Sequence, residues 1–273
     1  TLLLVFFASL LSDSLNYGHR SALSVSPALF VLGGCGAAAV WRHRTRWFRA
    51  LVVVLFLLRA EQALAIYPDF LAYFNPLVDS PDQGYQHLVD RSLDWGMDLP
   101  RLKAYLEKHN PGDKLPVFLA YFGTDDPDYY DIVCYRLPGY PDWTPRERFA
   151  FSPGIYVISA TLFQTLYTST FGPWNKVYED EYVQTDKLMQ QLERTANDPK
   201  ARAALFAAHP PSYWATIYSK YEKLRLARLC SWLRHHETPD TSAGYSLLIW
   251  NLDGSELNAA LNSAPSELDD APL

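Results

Sequence analysis

WFRALVVVLFLLRAEQALAI, residues 47–66, is the last of three apolar runs that open this chain. The second run covers residues 21–40, and the first, residues 1–11, is the shortest. A helix of about 20 apolar residues crosses the ~30 Å hydrocarbon core of a bilayer, whereas one of about 12 residues does not. The pattern therefore predicts about three transmembrane helices in residues 1–66, of which the first is truncated.

The segment between the second and third runs sets the expected orientation. Residues 41–49 read WRHRTRWFR, and their four arginines would cost on the order of 10 kcal/mol in hydrocarbon. We therefore expect a short loop in water, on the cytoplasmic side by the positive-inside rule, with Trp41 and Trp47 as interface anchors. The third helix then leads to the outside, so the remainder of the chain is expected to be extracytoplasmic.

Beyond a connector at residues 67–84, the pattern changes to that of an α/β domain. Short apolar runs of strand type alternate with segments of helical periodicity over residues 85–253. Residues 254–273 are acidic and rich in small side chains, which predicts a mostly disordered tail. The expected fold class is thus α-helical transmembrane segments followed by an extracytoplasmic α/β domain.

Composition excludes several classes of protein. The net charge of -6 at pH 7 argues against binding of nucleic acid. There is no CxxC, no zinc-ligand spacing, no glycine-rich phosphate loop and no GxSxG, so no metal and no cofactor is expected. An oxidising compartment permits a Cys134–Cys230 bridge, but two buried thiols explain the same residues, and the sequence does not decide between them.

Several stretches, taken in order, resemble one family. The segment YGHR contains His19 and Arg20, and YPDFLAYFN at residues 67–75 is similar to an HPxYLAYFN stretch. LVDRSLDWGMDL at residues 88–99 resembles LVDSNLDWGQDL, and LAYFGTDDP at residues 119–127 resembles LAYFGTADP. GIYVISAT at residues 154–161 and GYSL, which follows later, complete the series.

These motifs resemble the C-terminal part of bacterial membrane glycosyltransferases of family 39. These are GT-C-type enzymes similar to the dolichyl-phosphate-mannose-protein mannosyltransferases. The resemblance implies transfer of a sugar from a polyprenyl-phosphate carrier to an acceptor of unknown identity outside the cytoplasm. It also implies location in the bacterial inner membrane, with the lipid bilayer as a partner. The catalytic acidic loop of that family is not matched in this chain, so no catalytic residue is assigned.

The resemblance implies that two residues, Arg20 and His19, are candidates for binding the donor phosphate. An arginine side chain presents a planar fork of donors that suits phosphate. The alternative is an arginine that extends its charged end into the headgroup layer.

A second candidate set is Asp94, Trp95 and Asp98. An indole ring that stacks on a sugar, flanked by two carboxylates, would suit contact with an acceptor. The alternative, which we favour, is that the aspartates hold turns and helix ends through bonds to nearby backbone amides.

Two further clusters have ordinary explanations. Four aspartates between residues 125 and 131 have no EF-hand spacing and are typical of a solvated turn, although carboxylates at this density also suit Ca²⁺. His235 and His236 are adjacent on a predicted helix, so they do not share a face for a metal. A helix C-terminus favours cationic histidine, which explains them without a ligand.

The sequence thus predicts the C-terminal fragment of a glycosyltransferase that uses a polyprenyl-phosphate-linked sugar. The alternative is a non-catalytic, membrane-anchored module for binding or assembly, and a hydrolase built on the acidic clusters is a weaker third interpretation.

Overall fold

A computed structural model describes residues 23, 25–43, 46–75, 80–141 and 149–268. The chain divides into two compact units, Thr1–Leu88 and Val89–Leu273. Each unit is described by itself.

The first unit contains two long helices, α1 (Ser26–His43) and α2 (Arg46–Ile66). The prediction of transmembrane helices is wrong for the residues described, since none of their helices is both long enough and apolar enough to span a membrane. The reason lies in the segment expected to be a loop in water. The two helices take up most of it, so that α1 includes Arg42 and α2 includes Arg49. Along its length α2 also includes Arg59 and Glu61.

In the described part of the first unit, short 3-10 turns follow at Phe70–Ala72 and Pro81–Gln86. The sequence also predicts a strand at residues 85–90, but the second turn occupies its first two residues. Its PDQG start is rich in turn-forming residues, and Gly84 packs so closely on the Phe74 ring that a Cβ there would lie 2.7 Å from a ring carbon. Local turn chemistry therefore outweighs the alternation of apolar side chains that suggests a strand.

The second unit has a mixed five-stranded sheet, and the expectation of an α/β architecture holds for it. Its strands are β1 (Val117–Ala120), β2 (Tyr135–Arg136), β3 (Gly154–Ser159), β4 (Thr241–Ala243) and β5 (Leu247–Leu252). Their order is β2-β1-β3-β5-β4. β1 is parallel to β2 and β3, whereas β5 is antiparallel to β3 and β4. Every residue of β1 and β3 is buried, as continuous apolar strands of a covered sheet require.

Six helices accompany the sheet within the described part of this unit. They are α3 (Leu99–His109), α4 (Ala160–Phe163), α5 (Lys176–Arg194), α6 (Pro199–Ala207), α7 (Pro211–His236) and α8 (Gly254–Asn262). α3 buries Leu99, Leu102 and Leu106 against the sheet residues, as their 3–4 residue spacing predicts. α8 lies in the expected tail and begins with a capping box formed by Asp253 and Glu256.

A buried arginine connects the later helices through hydrogen bonds. Arg228 on α7 donates from Nε to Glu179 on α5 at 3.0 Å and from Nη2 to the Ser263 carbonyl after α8 at 2.6 Å. The two cysteines of this unit are both free thiols, with Cys230 buried and Cys134 partly so. Of the two explanations that the sequence leaves open, the structure has unbridged thiols.

The strand order creates a crevice at one edge of the sheet. From β1 the chain moves to β2 on one side, and β3 then lies on the other side of β1. The connections that leave the carboxyl ends of β1 and β3 thus diverge. In α/β sheets such a switch point is where ligands bind, so the loops that follow these two strands position the candidate site.

Candidate functional site

The carboxylate of Asp94 is buried beside the end of β3. Its side chain accepts hydrogen bonds from the Ser159 hydroxyl and from the Gly96 amide, the latter at 2.9 Å. Burial raises the pKa of Asp94 to about 6, which the hydrogen bonds from Ser159, Gly96 and Thr161 oppose and the charge of Asp98 reinforces. Asp94 therefore fixes the turn after it to the sheet, at an electrostatic cost when it is ionised.

Asp98 is buried in the same way, next to the turn that joins β4 and β5. It accepts a hydrogen bond of 2.6 Å from the Ser246 hydroxyl and lies 3.6 Å from the Arg101 guanidinium. A Cβ at Gly244 would come within 2.1 Å of the carboxylate, and this residue has φ +66°. Glycine is thus required there both by the backbone and by the close approach of Asp98.

The turn between these aspartates presses its backbone onto the loop after β1. A Cβ at Gly96 would lie 2.6 Å from the Gly123 Cα, and the Tyr121 hydroxyl donates to the Gly96 carbonyl. Trp95 projects from this turn and is 56% exposed. The buried carboxylates of Asp94 and Asp98 therefore flank a turn whose one large aromatic side chain, Trp95, is exposed to solvent.

The candidate residues thus have different surroundings. Asp94 accepts from the nearby Gly96 amide, as expected if it holds a turn. The side chain of Asp98 makes no capping hydrogen bond at the start of α3 and instead accepts from Ser246, which is distant in sequence. Trp95 is accessible to a ligand. Contact of these three residues with a sugar stays a prediction. His19 and Arg20 lie outside the described residues.

Members of the other candidate clusters pair with neighbouring side chains. Arg136 pairs with Asp126 and, at 2.8 Å, with Asp128. His235 Nε2 lies 3.2 Å from a carboxylate oxygen of Glu267. Over the described ranges, no group of three or more His, Cys, Asp or Glu side chains is placed to hold a metal ion.

A cavity of about 220 Å³ opens near the carboxyl ends of β1 and β3. Three segments form its wall: the residues before Pro141, α4 with the loop that follows it, and one face of α7. The lining residues are Pro138, Gly139, Tyr140, Leu162, Thr165, Tyr167, Thr168, Ser169, Thr170, Lys223, Leu226, Ala227 and Cys230. The wall thus combines apolar side chains with a row of hydroxyl groups and one lysine.

Three aromatic rings cluster at this cavity. The centroid of Tyr167 lies 4.7 Å from that of Tyr140 and 5.3 Å from that of Phe122, and Phe122 also stacks on Tyr140 at 5.5 Å. Tyr140 and Tyr167 are 41% and 45% exposed. Each tyrosine is therefore held by its neighbours while part of its surface remains open to a ligand.

The loop after α4 has an unusual backbone that its side chains hold in place. Thr165 and Tyr167 both have positive φ, 62° and 57°, which is uncommon for residues with a Cβ and especially for a β-branched one. The Thr168 hydroxyl lies 2.9 Å from the Thr165 carbonyl and 3.1 Å from the Thr170 carbonyl, so its single proton is shared between these two acceptors. The Gly172 amide donates to the Thr165 hydroxyl at 2.9 Å. Strain of this kind is maintained chiefly at functional loops.

The cavity residues were not among the candidates that the sequence suggests. Tyr140, Tyr167 and Lys223 lie on three separate segments, and no local motif connects them. The only signal is the 15% aromatic content, which suits sugar-binding surfaces as well as an ordinary core.

Comparison of the chain with protein-family models, curated proteins and solved structures finds no match in any of the three.

Proposed function

We propose that the second unit binds the saccharide acceptor of a glycosyltransferase that uses a polyprenyl-phosphate-linked sugar. The main support for this proposal is the pair of half-exposed rings, Tyr140 and Tyr167, at the rim of a cavity lined by hydroxyl groups. A pyranose ring has an apolar face of C–H groups and an edge of hydroxyls, so it matches aromatic rings and polar side chains together.

The size of the cavity supports one sugar ring as its occupant. Its volume of about 220 Å³ is below the roughly 300–1,000 Å³ that is usual for drug-sized ligands. The resemblance of the motifs around residues 88–99, 119–127 and 154–161 to family 39 enzymes supplies the reaction class. In such a transfer an acceptor hydroxyl bonds to the anomeric carbon while the bond to the lipid phosphate breaks. No catalytic residue of this step is assigned to the present chain.

The affinity expected for a single hexose is modest. At about 0.3 kcal/mol for each of its 12 non-hydrogen atoms, binding is worth roughly 4 kcal/mol, which corresponds to a Kd on the order of 1 mM. Isothermal titration of the full chain with a panel of hexoses at millimolar concentration measures this directly.

The decisive variant is Tyr167→Ala, with Tyr129→Ala as the matched control. Tyr129 is 83% exposed and is not part of the cavity wall. Loss of the ring contact is expected to weaken binding at least about fivefold, or roughly 1 kcal/mol, while the control binds as wild type does. If no hexose binds, or if both variants bind alike, the proposal is refuted.

A further inference from the structure

A groove between α5 and α7 adjoins the sugar cavity. It has a volume of about 560 Å³, with Tyr178 of α5 on one side and Ala215 of α7 on the other. Ser169 and Thr170, in the loop after α4, line both this α5–α7 groove and the cavity. The two spaces therefore share a wall, and a ligand longer than one sugar ring can extend from one into the other.

The groove offers the same kinds of contact as the cavity. Tyr178 supplies a half-buried aromatic ring, whose hydroxyl donates to the Phe171 carbonyl at 3.3 Å. Thr216 and Ser219 on α7 add hydroxyl groups to the lining. A sugar ring needs an apolar surface for its C–H face and polar partners for its hydroxyls. The groove therefore suits a second sugar ring in the way that the cavity suits a first.

An ion pair across the groove adds capacity for hydrogen bonds. Lys220 Nζ on α7 lies 2.8 Å from a carboxylate oxygen of Glu181 on α5, and both side chains are partly exposed. An ammonium group has three donors and a carboxylate has about four acceptor sites, so one contact between them leaves room for others. A sugar hydroxyl both donates and accepts, so it can bond to either member. Because the two charges compensate each other, this pair does not require a charged ligand.

The groove is preformed by contacts between its two helices. Arg228 on α7 donates from Nε to Glu179 on α5 at 3.0 Å. The ring centroids of Tyr182 on α5 and Tyr221 on α7 lie 6.1 Å apart, with an angle of 5° between the planes. The spacing of the helices is thus set before a ligand arrives, which limits the free energy that binding loses to ordering.

We propose that the acceptor is a saccharide of two or more sugar units, with one ring in the cavity at Tyr167 and the next in the α5–α7 groove. The main support is the wall at Ser169 and Thr170 that the two spaces share. This inference rests on the proposed binding of an acceptor sugar at Tyr167. It adds the length of that acceptor and the helices that recognise its second unit.

The test compares one sugar ring with two. Glucose, maltose and cellobiose are titrated into the full chain in a calorimeter. The two disaccharides differ only in the configuration of the glycosidic bond, so they direct the second ring differently. At least one of them is expected to bind wild type roughly tenfold more tightly than glucose, because its second ring makes contacts without a second loss of translational and rotational freedom.

Ala215→Leu is the variant that fills the groove, with Ala203→Leu as the matched control. Ala215 is exposed and lines the groove, whereas Ala203 is exposed on α6 and lies outside both linings. Alanine and leucine both have high helix propensity, so both variants are expected to fold. Ala215→Leu should lower disaccharide affinity to that of glucose and leave glucose affinity unchanged, while Ala203→Leu should keep the tenfold preference.

The remaining outcomes separate this inference from the proposed function. If glucose binds in a Tyr167-dependent manner but neither disaccharide binds more tightly, the extended acceptor is refuted and the proposed function stands. A preference for a disaccharide that survives in Ala215→Leu, or that is lost equally in Ala203→Leu, refutes the groove as the site of the second ring. If none of the three sugars binds, both proposals fail.

Discussion

Replacement of Asp94 by asparagine is expected to change how stability depends on pH. The variant keeps the shape of the side chain and the acceptor for the Gly96 amide, but it cannot ionise. Since burial raises the pKa of Asp94 to about 6, the folded protein keeps this proton at pH values where the unfolded chain has lost it. The contribution of Asp94 to the free energy of unfolding therefore falls as pH rises from about 4 to about 6.

The size of this change in the free energy of unfolding follows from the difference between the pKa values of Asp94 in the unfolded and folded states. An ordinary aspartate has a pKa of about 4, and each pH unit between that value and the folded-state pKa is worth about 1.4 kcal/mol. Ionised Asp94 thus costs the folded state about 3 kcal/mol above pH 7, and nothing below pH 4. The stability of Asp94→Asn relative to wild type should rise by about that amount between pH 4 and pH 7.

Urea denaturation at half-unit pH steps, monitored by tryptophan fluorescence, measures this difference. Asp113→Asn is the control, since Asp113 is exposed and has φ 50°, which asparagine tolerates. The control should remain within about 0.5 kcal/mol of wild type throughout. A difference between Asp94→Asn and wild type that is the same at every pH would show that the carboxyl is not held in the environment described here.

Two further substitutions test the packing of the second unit. Glu222 and Arg225 are a buried ion pair on α7, so Glu222→Ala should lower the free energy of unfolding by about 3–5 kcal/mol because it leaves a buried charge without its partner; an unchanged urea midpoint would contradict this. Gly96→Ala should cost at least about 2 kcal/mol more than Gly112→Ala, since both residues have positive φ but only Gly96 meets backbone, at Gly123. Equal losses in urea denaturation would argue against the close approach.

Local patterns in the sequence predict much of the second unit. The apolar runs that contain β1, β3 and β5 are buried strands, and the spacing of leucines on α3 identifies its buried face. These predictions are correct because each depends on residues that are close together in the chain. The sequence predicts a mostly disordered tail with at most one weak helix from residue 254, and the structure has one helix there, at Gly254–Asn262, which Asp253 and Glu256 cap.

The misinterpreted part is that of α1 and α2, where apolar content outweighed the charges in the prediction; the first apolar run, residues 1–11, lies outside the described residues. Arginines that suggest a loop between two membrane spans are accommodated within the helices α1 and α2 themselves. Helical backbone continues through such residues without difficulty, because arginine has a high helix propensity. Apolar composition alone therefore does not locate the end of a helix.

The residues of the candidate site could be predicted from the sequence only in part. Asp94, Trp95 and Asp98 stand out because they are close in sequence, and their turn does lie at the carboxyl edge of the sheet. The cavity beside this edge depends on Tyr140, Tyr167 and Lys223, which tertiary structure alone brings into one lining. Positive φ at Thr165 and Tyr167 likewise has no signature in the sequence, since neither residue type favours it.

Sugar binding by the cavity at Tyr167 can be observed by NMR titration of the isotope-labelled full chain with glucose. We expect amide shifts to change with sugar concentration in the loop of residues 165–170 and around Lys223, and Tyr167→Ala to remove these changes. Shift changes confined to other parts of the chain, or their complete absence at 20 times the expected millimolar Kd, would contradict sugar binding at this cavity.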